Sequence, residues 1–366
     1  MQKILVGNDE EKERNSMKKM IAFTMAAAMA MSLMISGCSK SDTSSNGSTS
    51  AASSESVASG SENSNTNAAA ETDWPKENVT MVVPYSAGGD TDTYCRQMCK
   101  ILGDKLGVNF VVVNTTGGSG VVASSSVMTA KNDGYTALFH HTGVMMTQEA
   151  AESNEFSFLN DFEVVGTIAR DDTYALIAKA DDPRFSNLDE MIEWAKANPG
   201  QLRFSVTYYG ATHAAAVAME RTMGIEMNQI DVGSSTADRL TAFMADQCDV
   251  LLVNYMNIAD YVEKGDFVVL GVCAEERVPG LEDIPTLKEQ GYDVVQPKLY
   301  EVRMPKGTDK AIVDKLSNAM AEVAEDPEFQ KVLTNYYAQA YYRDSETTVS
   351  EDTELVNQLK EFFAGS

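Results

Sequence analysis

The chain has 366 residues, which is long enough for two domains. Its formal net charge at pH 7 is −25, from 29 basic and 54 acidic residues, and this balance argues against a nucleic-acid partner. The acidity does not identify a ligand, because net surface charge mainly governs solubility and a local anion site can exist within it.

A targeting segment begins the chain. Lys18 and Lys19 precede an uncharged apolar run over residues 20–35, which is typical of an export signal and short for a membrane span. We therefore predict a signal peptide over residues 1–37, with Met17 as an alternative start.

The apolar run ends in Ile35-Ser36-Gly37-Cys38, which resembles the lipobox of bacterial lipoproteins. The resemblance implies cleavage before Cys38, lipidation of its thiol and attachment to the membrane through that lipid. An ordinary secretory signal followed by a chance cysteine is the alternative. Residues 39–72 are rich in Ser, Asn, Ala and Thr and cannot bury a core, so residues 38–73 are predicted to be the lipidated cysteine and a flexible tether.

The first folded unit is a strand, a Gly-rich turn and a helix. Residues 79–83 are apolar or β-branched and predict a buried strand. Gly88-Gly89 follows, and Thr91 or Asp92 is suited to cap the next helix. Free N–H groups at such a turn favour an anion. From this unit alone, a simple tight turn in an α/β domain is an equally good interpretation.

The pattern then continues as helix, strand, helix and strand, which predicts a βαβαβ start to a parallel sheet. These elements are expected at residues 93–106, 109–114, 121–130 and 135–140. Gly118-x-Gly120-x-x-Ala123 superficially fits a dinucleotide fingerprint. We reject that interpretation because the motif follows the second strand, and no acidic residue ends a strand at the expected distance.

A second strand, Gly turn and helix unit lies in the middle of the chain. A strand over residues 202–207 runs into Tyr208 to His213, and an Ala-rich helix extends to Met223. Other strands are predicted at residues 162–168, 174–179, 229–232, 249–254, 267–274 and 300–304. Other helices are predicted at residues 187–198, 237–245, 256–263, 310–324 and 327–336, with one more opened by Ile284-Pro285-Thr286.

The cysteines beyond Cys38 argue against a metal site. They include no Cys-x-x-Cys pair, and the chain has only three histidines, so we expect no structural zinc and no other metal. Buried free thiols are the favoured interpretation. These cysteines are Cys95, Cys99, Cys248 and Cys273.

An ordered set of motifs from Trp74 to the C-terminus resembles the Bug-type receptors, the extracytoplasmic solute-binding subunits of tripartite tricarboxylate transporters. Each motif is weak alone, and the order makes the resemblance specific. The motifs are Trp74-Pro75, the stretch from Val79 to Asp92 with Arg96, Val112-Val113-Asn114, Gly117 to Gly120, Asp133 to Thr136, Gln247 to Val250, Pro285-Thr286-Leu287, Glu289-Gln290-Gly291 and Pro305 to Thr308.

The resemblance implies a two-lobed α/β architecture of the periplasmic-binding-protein type II, or Venus flytrap, kind, in which each lobe is a sheet flanked by helices. Lobe 1 is expected over residues 74–172 and 300–366, and lobe 2 over residues 173–299. Chain crossings are expected near residues 169–176 and 296–301. The lobes are expected to close on a small carboxylate ligand.

In this family the ligand carboxylate is held mainly by main-chain N–H groups and water from two facing turns. Two strand–turn–helix units that face each other can direct the N–H groups of both helix N-termini at one anion, which fits such a site. The first turn contributes Tyr85, Ser86, Ala87, Gly88, Gly89 and Asp92, and the second contributes Tyr209, Gly210, Thr212 and His213.

Several residues depart from the family pattern. Asp90 is expected to point to solvent, or alternatively to meet an amino group of the ligand. Tyr208 and Tyr209 could narrow the cleft or simply pack elsewhere. Ser235-Thr236 replaces a Gly-Gly pair, so a third loop is only a candidate. His140 and His141 point to opposite faces of a strand, so at most one of them should reach the ligand.

The sequence therefore predicts a lipid-anchored extracytoplasmic receptor that binds a di- or tricarboxylate or related acid and delivers it to membrane permease subunits. No catalytic residue and no cofactor are expected. A sensor-coupled carboxylate-binding module is the alternative. An enzyme that uses His213 is disfavoured because the chain has few histidines and no nucleophile motif.

Overall fold

The structure is a computed structural model that describes residues 72–233 and 235–364. The predicted signal peptide, Cys38 and nearly all of the tether lie outside these residues. In chain order the first elements are β1 (Val79–Val83), α1 (Asp90–Leu106), β2 (Phe110–Asn114), α2 (Val121–Met128), β3 (Thr136–His141), α3 (Thr142–Ala150), β4 (Phe162–Asp171), β5 (Tyr174–Lys179), α4 (Leu188–Ala197), β6 (Leu202–Val206) and α5 (Ala211–Met223).

The remaining elements run from the middle of the chain to its end, and short 3₁₀ turns cover Gly118–Gly120 and Tyr255–Asn257. They are β7 (Met227–Asp231), α6 (Thr236–Met244), β8 (Val250–Asn254), α7 (Ala259–Lys264), β9 (Phe267–Val272), β10 (Lys298–Pro305), α8 (Lys310–Ala324), α9 (Pro327–Thr334), β11 (Gln339–Asp344) and α10 (Ser345–Ala364).

Sheet A has the strand order β11-β4-β10-β3-β1-β2. Strand β1 pairs in parallel with both β2 and β3, which confirms the predicted βαβαβ start. Strand β10 runs antiparallel between β3 and β4, so the sheet is mixed. The inner strands β1, β3 and β10 are buried on both faces because helices cover both, whereas the edge strands β2 and β11 are partly exposed. Core side chains from α1, α8 and α9 lie on one face, and those from α2, α3 and α10 lie on the other.

Sheet B has the strand order β7-β6-β8-β5-β9 and is also mixed. Strand β6 is parallel to β7 and β8, whereas β5 is antiparallel to β8 and β9. Helices α4 and α5 supply the core on one face. Side chains around α6 and α7 supply the other, including Phe243 and Ile258. The α/β class with two sheets, each flanked by helices, is confirmed.

The chain passes from one sheet to the other at two places. Strand β4 ends in sheet A at Asp171, and β5 begins in sheet B at Tyr174. The chain returns to sheet A at Lys298, where β10 begins. These passages lie close to the two predicted crossings, and the division into lobes that move as units stays a prediction.

Some local expectations are wrong. Residues 284–286 do not open a helix, because their backbone forms a bridge to the end of β9: Val272 donates to Pro285 O at 3.1 Å, and Leu287 donates to Val272 O at 2.8 Å. Helix α3 and edge strand β11 were not predicted. Helix α3 follows β3 without a turn, so no capping or turn signal marks its start.

Two further properties of the described part of the chain bear on function. No helix in it is long and apolar enough to cross a membrane. Its four cysteines are all buried and free, and the Sγ atoms of Cys95 and Cys99 lie 3.8 Å apart.

Candidate ligand-binding site

A cavity of about 360 Å³ lies where turns of sheet A meet turns of sheet B. Its lining comes from the β1–α1 turn, the β6–α5 turn, the start of α6 and the two places where the chain passes between the sheets. A cavity of this size suits a small ligand.

The β1–α1 turn is held in shape by Asp92. Its Oδ2 accepts hydrogen bonds from Gly88 N and Arg96 Nε, each at 2.9 Å, and its Oδ1 accepts one from Asn114 Nδ2 at 2.8 Å. Burial opposes ionisation, but these bonds lower the pKa of the Asp92 carboxyl. Helix α1 begins at Asp90, with Gly89 as its N-cap, so the expected cap at Thr91 or Asp92 is wrong. Asp92 shapes the turn and does not line the cavity.

Glycine is required at two points of the cavity wall. Gly88 has φ +89°, a left-handed conformation that a side chain would strain. Gly120 has φ +96°, and a Cβ there would lie 2.6 Å from His140 Nε2. Substitution at either position would therefore reshape the wall.

The β6–α5 turn forms the facing part of the lining. Thr212 Oγ1 accepts a hydrogen bond from Thr207 N at 2.8 Å, and Gly210 N donates to Thr207 O at 3.0 Å. Gly210 and Thr212 line the cavity. Tyr209 does not: it has φ +58° and is 51% exposed.

His213 lies outside the cavity lining. Its ring centroid is 5.1 Å from that of Tyr208, 5.9 Å from that of Tyr209 and 5.6 Å from that of Phe363 on α10. Burial lowers the pKa of the His213 imidazole. The side chain therefore belongs to an aromatic contact between α5 and the C-terminal helix.

The N-terminal ends of α1, α5 and α6 all line the cavity, through Gly89, Gly210 and Ser235 respectively. The first N–H groups of a helix have no intrahelical acceptor, and the helix dipole favours negative charge beside them. Convergence of these ends on one cavity makes it suited to an anion. The candidate third loop, Ser235-Thr236, thus lies in the lining.

Arg239 adds a cation to the same wall. It is 5% exposed and extends from the first turns of α6, where Nη1 donates to Thr207 Oγ1 at 3.1 Å and Nη2 to Thr236 Oγ1 at 3.3 Å. Burial lowers its pKa, yet guanidinium stays charged in proteins. Arg239 was not predicted from the sequence as a site residue. A signal was present, since Arg239 falls four residues after Ser235 and so on the same helix face.

A second set of charges surrounds Lys298, where the chain returns to sheet A. Lys298 Nζ lies 2.5 Å from Asp90 Oδ2, 3.0 Å from Asn254 Oδ1 and 3.6 Å from Asp171 Oδ2. Tyr300 also donates its hydroxyl to Asp90 Oδ2 at 2.8 Å. The expectation that Asp90 points to solvent is wrong: its carboxylate is paired on the cavity wall.

The pKa values of this set follow from burial and pairing. Burial alone would lower the pKa of the Lys298 ammonium, but Asp90 and Asp171 raise it. Burial would raise the pKa of the Asp90 carboxyl, but Lys298 and the hydrogen bond from Tyr300 lower it. Burial and the nearby Asp90 charge raise the pKa of the Asp171 carboxyl, against the effect of Lys298.

Tyr85 and His141 add neutral polar atoms to the lining. Their rings are stacked, with centroids 5.2 Å apart. Tyr85 Oη and His141 Nδ1 are buried and have no hydrogen-bond partner within residues 72–233 and 235–364. Burial lowers the pKa of His141 well below its usual value, so the ring is neutral at pH 7. His140 does not line the cavity, as expected from strand alternation.

The structure thus brings together most of the predicted site residues at one cavity: Tyr85, Ser86, Ala87, Gly88, Gly89, Gly210 and Thr212. It places Asp92, Tyr209 and His213 elsewhere. Residues that the sequence analysis did not assign also line the cavity, chiefly Arg239, Lys298, Asp171 and Asn254. The role of each residue toward a ligand stays a prediction.

A cavity between two sheets, lined by helix N-termini and a buried cation, is the arrangement expected of a small-molecule-binding protein. Two mixed sheets flanked by helices are also the fold of periplasmic binding proteins. The model of the tripartite tricarboxylate transporter family receptor (TctC) matches residues 94–362, and the chain belongs to this family. The resemblance to Bug-type receptors is confirmed. Family members are solute-binding receptors rather than enzymes, and they act outside the cytoplasm.

Individual relatives agree with this assignment. The UPF0065 protein in the gbd 5′ region of Cupriavidus necator is 27% identical, over 80% of this chain and 89% of that protein. The structure of periplasmic binding protein BugD is 27% identical, covers 80% of this chain and 98% of its own, and has a TM-score of 0.70. MatC from Rhodopseudomonas palustris with bound malate is 23% identical and covers 79% of this chain and 99% of its own. It shows the same fold, with a TM-score of 0.69.

Proposed function

We propose that the protein is a lipid-anchored extracytoplasmic receptor that binds a small organic acid in the cavity between sheets A and B and delivers it to the permease subunits of a tripartite tricarboxylate transporter. The observation that carries the proposal is the placement of buried Arg239 beside the N-termini of α1, α5 and α6. A guanidinium and helix N–H groups bind the same chemical group, a carboxylate.

The ligand carboxylate is proposed to accept hydrogen bonds from the main-chain N–H group of Gly89 and from Arg239, with water completing the set. The N–H groups of Gly88 and Gly210 already donate to Asp92 Oδ2 and Thr207 O and hold the two turns in shape. Tyr85 Oη supplies a further polar atom. Sheets A and B, each with its helices, act as lobes with boundaries at 172/173 and 299/300. Ligand that contacts both lobes favours the closed arrangement, which is the usual basis of capture.

Ligand binding is tested by calorimetry and thermal unfolding against a panel of organic acids. A ligand at about 100 times its Kd should add about 2.7 kcal/mol to the free energy of unfolding. Arg239→Met should weaken binding about 10- to 100-fold, because a charge-assisted hydrogen bond is lost. The matched control is Arg277→Met, which removes an exposed arginine paired with Glu289 at 2.9 Å.

An unchanged affinity in Arg239→Met would contradict the proposed carboxylate site. Equal weakening by both arginine variants would show a general loss of positive charge rather than a local contact.

Lipid anchoring rests on the sequence pattern before Cys38. Cys38→Ala should release the protein from the cell membrane and remove the lipid mass from its N-terminus, as seen by fractionation and mass spectrometry. An N-terminus of the unaltered protein that carries no lipid mass would contradict lipidation of that thiol.

Delivery to a permease is tested by uptake of the labelled ligand. Cells that lack the receptor, or that carry Arg239→Met, should lose uptake at low ligand concentration. Full uptake in both strains, with binding intact in the purified protein, would favour the sensor-coupled alternative.

A further inference from the structure

We propose that the cavity selects a ligand with one carboxylate and an uncharged remainder, and that Asp90 sets this limit by pairing with Lys298. The proposal rests on the proposed function, since it assumes that the cavity binds a carboxylate. It assigns Asp90 as a specificity-determining residue, although Asp90 was expected either to face solvent or to bind an amino group.

The charged side chains of the cavity wall compensate one another. Among the described residues, the charged side chains of the lining are Asp90, Asp171, Lys298 and Arg239, which sum to zero. Asp171 counts as ionised because its oxygens only accept: from Thr173 N at 2.8 Å, Thr173 Oγ1 at 2.6 Å and Asn254 Nδ2 at 2.7 Å. One incoming carboxylate is offset by the helix N-termini, whereas a second would have no further cation to meet.

The Lys298 ammonium already has protein partners in the cavity wall. It is 3% exposed, and its ammonium lies between Asp90, Asn254 and Asp171. Tyr300 and the Thr91 main chain fix the Asp90 carboxylate in place, with Thr91 N donating to Oδ1 at 2.7 Å. A ligand carboxylate that approached this end of the cavity would meet a lysine whose charge two carboxylates already compensate.

The rest of the lining contains aromatic and apolar side chains. Tyr174 is one of them, and Lys298 Nζ lies 5.5 Å from the centroid of its ring. Tyr94, Tyr336 and Met256 also line the cavity. Such surfaces favour an uncharged ligand body over a second carboxylate, which would lose its hydration there.

The test compares dicarboxylates with their monoamides, which have nearly the same shape and one negative charge fewer. The probes are succinate with succinamate and glutarate with glutaramate, measured by calorimetry at pH 7. In the unaltered protein the monoamide of at least one pair should bind at least about tenfold more tightly, the effect expected of one unmatched charge near a buried wall.

Asp90→Asn should release the Lys298 charge toward the ligand and raise dicarboxylate affinity at least about tenfold, which reverses or removes the preference. Asp90→Glu is the matched control, because it keeps the charge and should keep the preference for the monoamide.

Equal or tighter binding of the dicarboxylates by the unaltered protein would overturn this proposal while leaving the carboxylate receptor intact. An unchanged preference in Asp90→Asn would overturn the role of Asp90. Absence of binding by both pairs and by the wider acid panel would remove the proposed function as well. The comparison in the unaltered protein decides the ligand class even if Asp90→Asn fails to fold.

Discussion

Two charge clusters centred on strand β10 each combine one basic residue with two carboxylates, but their surroundings differ. Lys298 lies between Asp90 and Asp171 on the cavity wall. Arg303 lies in the core of the sheet A part, where it is ion-paired with Glu301 and Asp352 and donates to Phe158 O at 2.6 Å. One basic residue with two carboxylates therefore lines a cavity in one case and holds a helix to a sheet in the other.

The Arg303 cluster holds the C-terminal helix to sheet A. Asp352 belongs to α10 and is 1% exposed, and Arg303 and Glu301 on β10 are fully buried. Arginine suits this position because its planar group donates to several acceptors at once. At the cavity, lysine supplies a single charged centre, which reaches the Asp90 carboxylate of α1 and the Asn254 amide of sheet B.

The largest expected effect is a difference in stability between variants of the two clusters. Arg303→Met should lower the free energy of unfolding by about 3–5 kcal/mol, because it leaves two carboxylates buried without a cation. Lys298→Met should cost less, about 1–3 kcal/mol, because the Asp90 side chain is 27% exposed. Urea unfolding of both variants measures the difference.

Measurement of ligand affinity provides the control for the Arg303→Met and Lys298→Met variants. Arg303→Met should bind ligand with unchanged affinity while it remains folded, whereas Lys298→Met should weaken carboxylate binding because the wall gains net negative charge. If Lys298→Met lost as much stability as Arg303→Met, then a position on the cavity wall would not reduce the destabilisation caused by unpaired carboxylates.

The contributions of the two clusters to the free energy of unfolding should depend on pH in opposite directions. The pKa of Asp90 is lowered from 3.8, so its contribution is present above pH 3.8 and is lost as pH falls below that value. Burial and the Asp352 charge raise the pKa of Glu301 well above 4.5, so its contribution is present below pH 4.5 and is lost as pH rises toward the raised value.

Unfolding measured from about pH 2 to about pH 8 tests these signs. Asp90→Asn should flatten the loss of stability on the acid side, and Glu301→Gln should flatten the loss on the neutral side. If both variants flattened the same side, the assignment of opposite pKa shifts would be wrong.

Much of the first turn could be predicted from sequence because its determinants are local. The apolar strand Val79–Val83 and the glycines at 88 and 89 lie within eleven residues, and the structure has the expected strand, turn and helix. The Asp90–Lys298 pair could not be predicted in the same way, since its partners are 208 residues apart. No local pattern shows that the chain returns to sheet A at that point.

The predicted placement of Tyr209 and His213 of the second turn at the cavity is wrong because of the local backbone conformation and a long-range contact. The sequence predicts that Tyr209 and His213 follow a strand at the cavity rim, but it does not predict the left-handed conformation of Tyr209, with φ +58°. Tyr209 is largely exposed, and the His213 ring faces α10. Helix α10 is the last element of the chain, so its contact with α5 is another long-range feature that sequence spacing does not show.

The smallest expected effect concerns His213, which belongs to neither cluster. His213→Ala removes ring contacts with Phe363 and Tyr208 and should lower the free energy of unfolding by about 0.5–1.5 kcal/mol. Ligand affinity should stay within about threefold, since the imidazole does not line the cavity. Thr212→Ala is the neighbouring control, because Thr212 lines the cavity and fixes Thr207 N, so it should weaken binding more than it lowers stability. A loss of affinity in His213→Ala larger than that in Thr212→Ala would show that the His213 ring takes part in ligand binding. The aromatic contact between His213 and α10 would then be coupled to ligand binding.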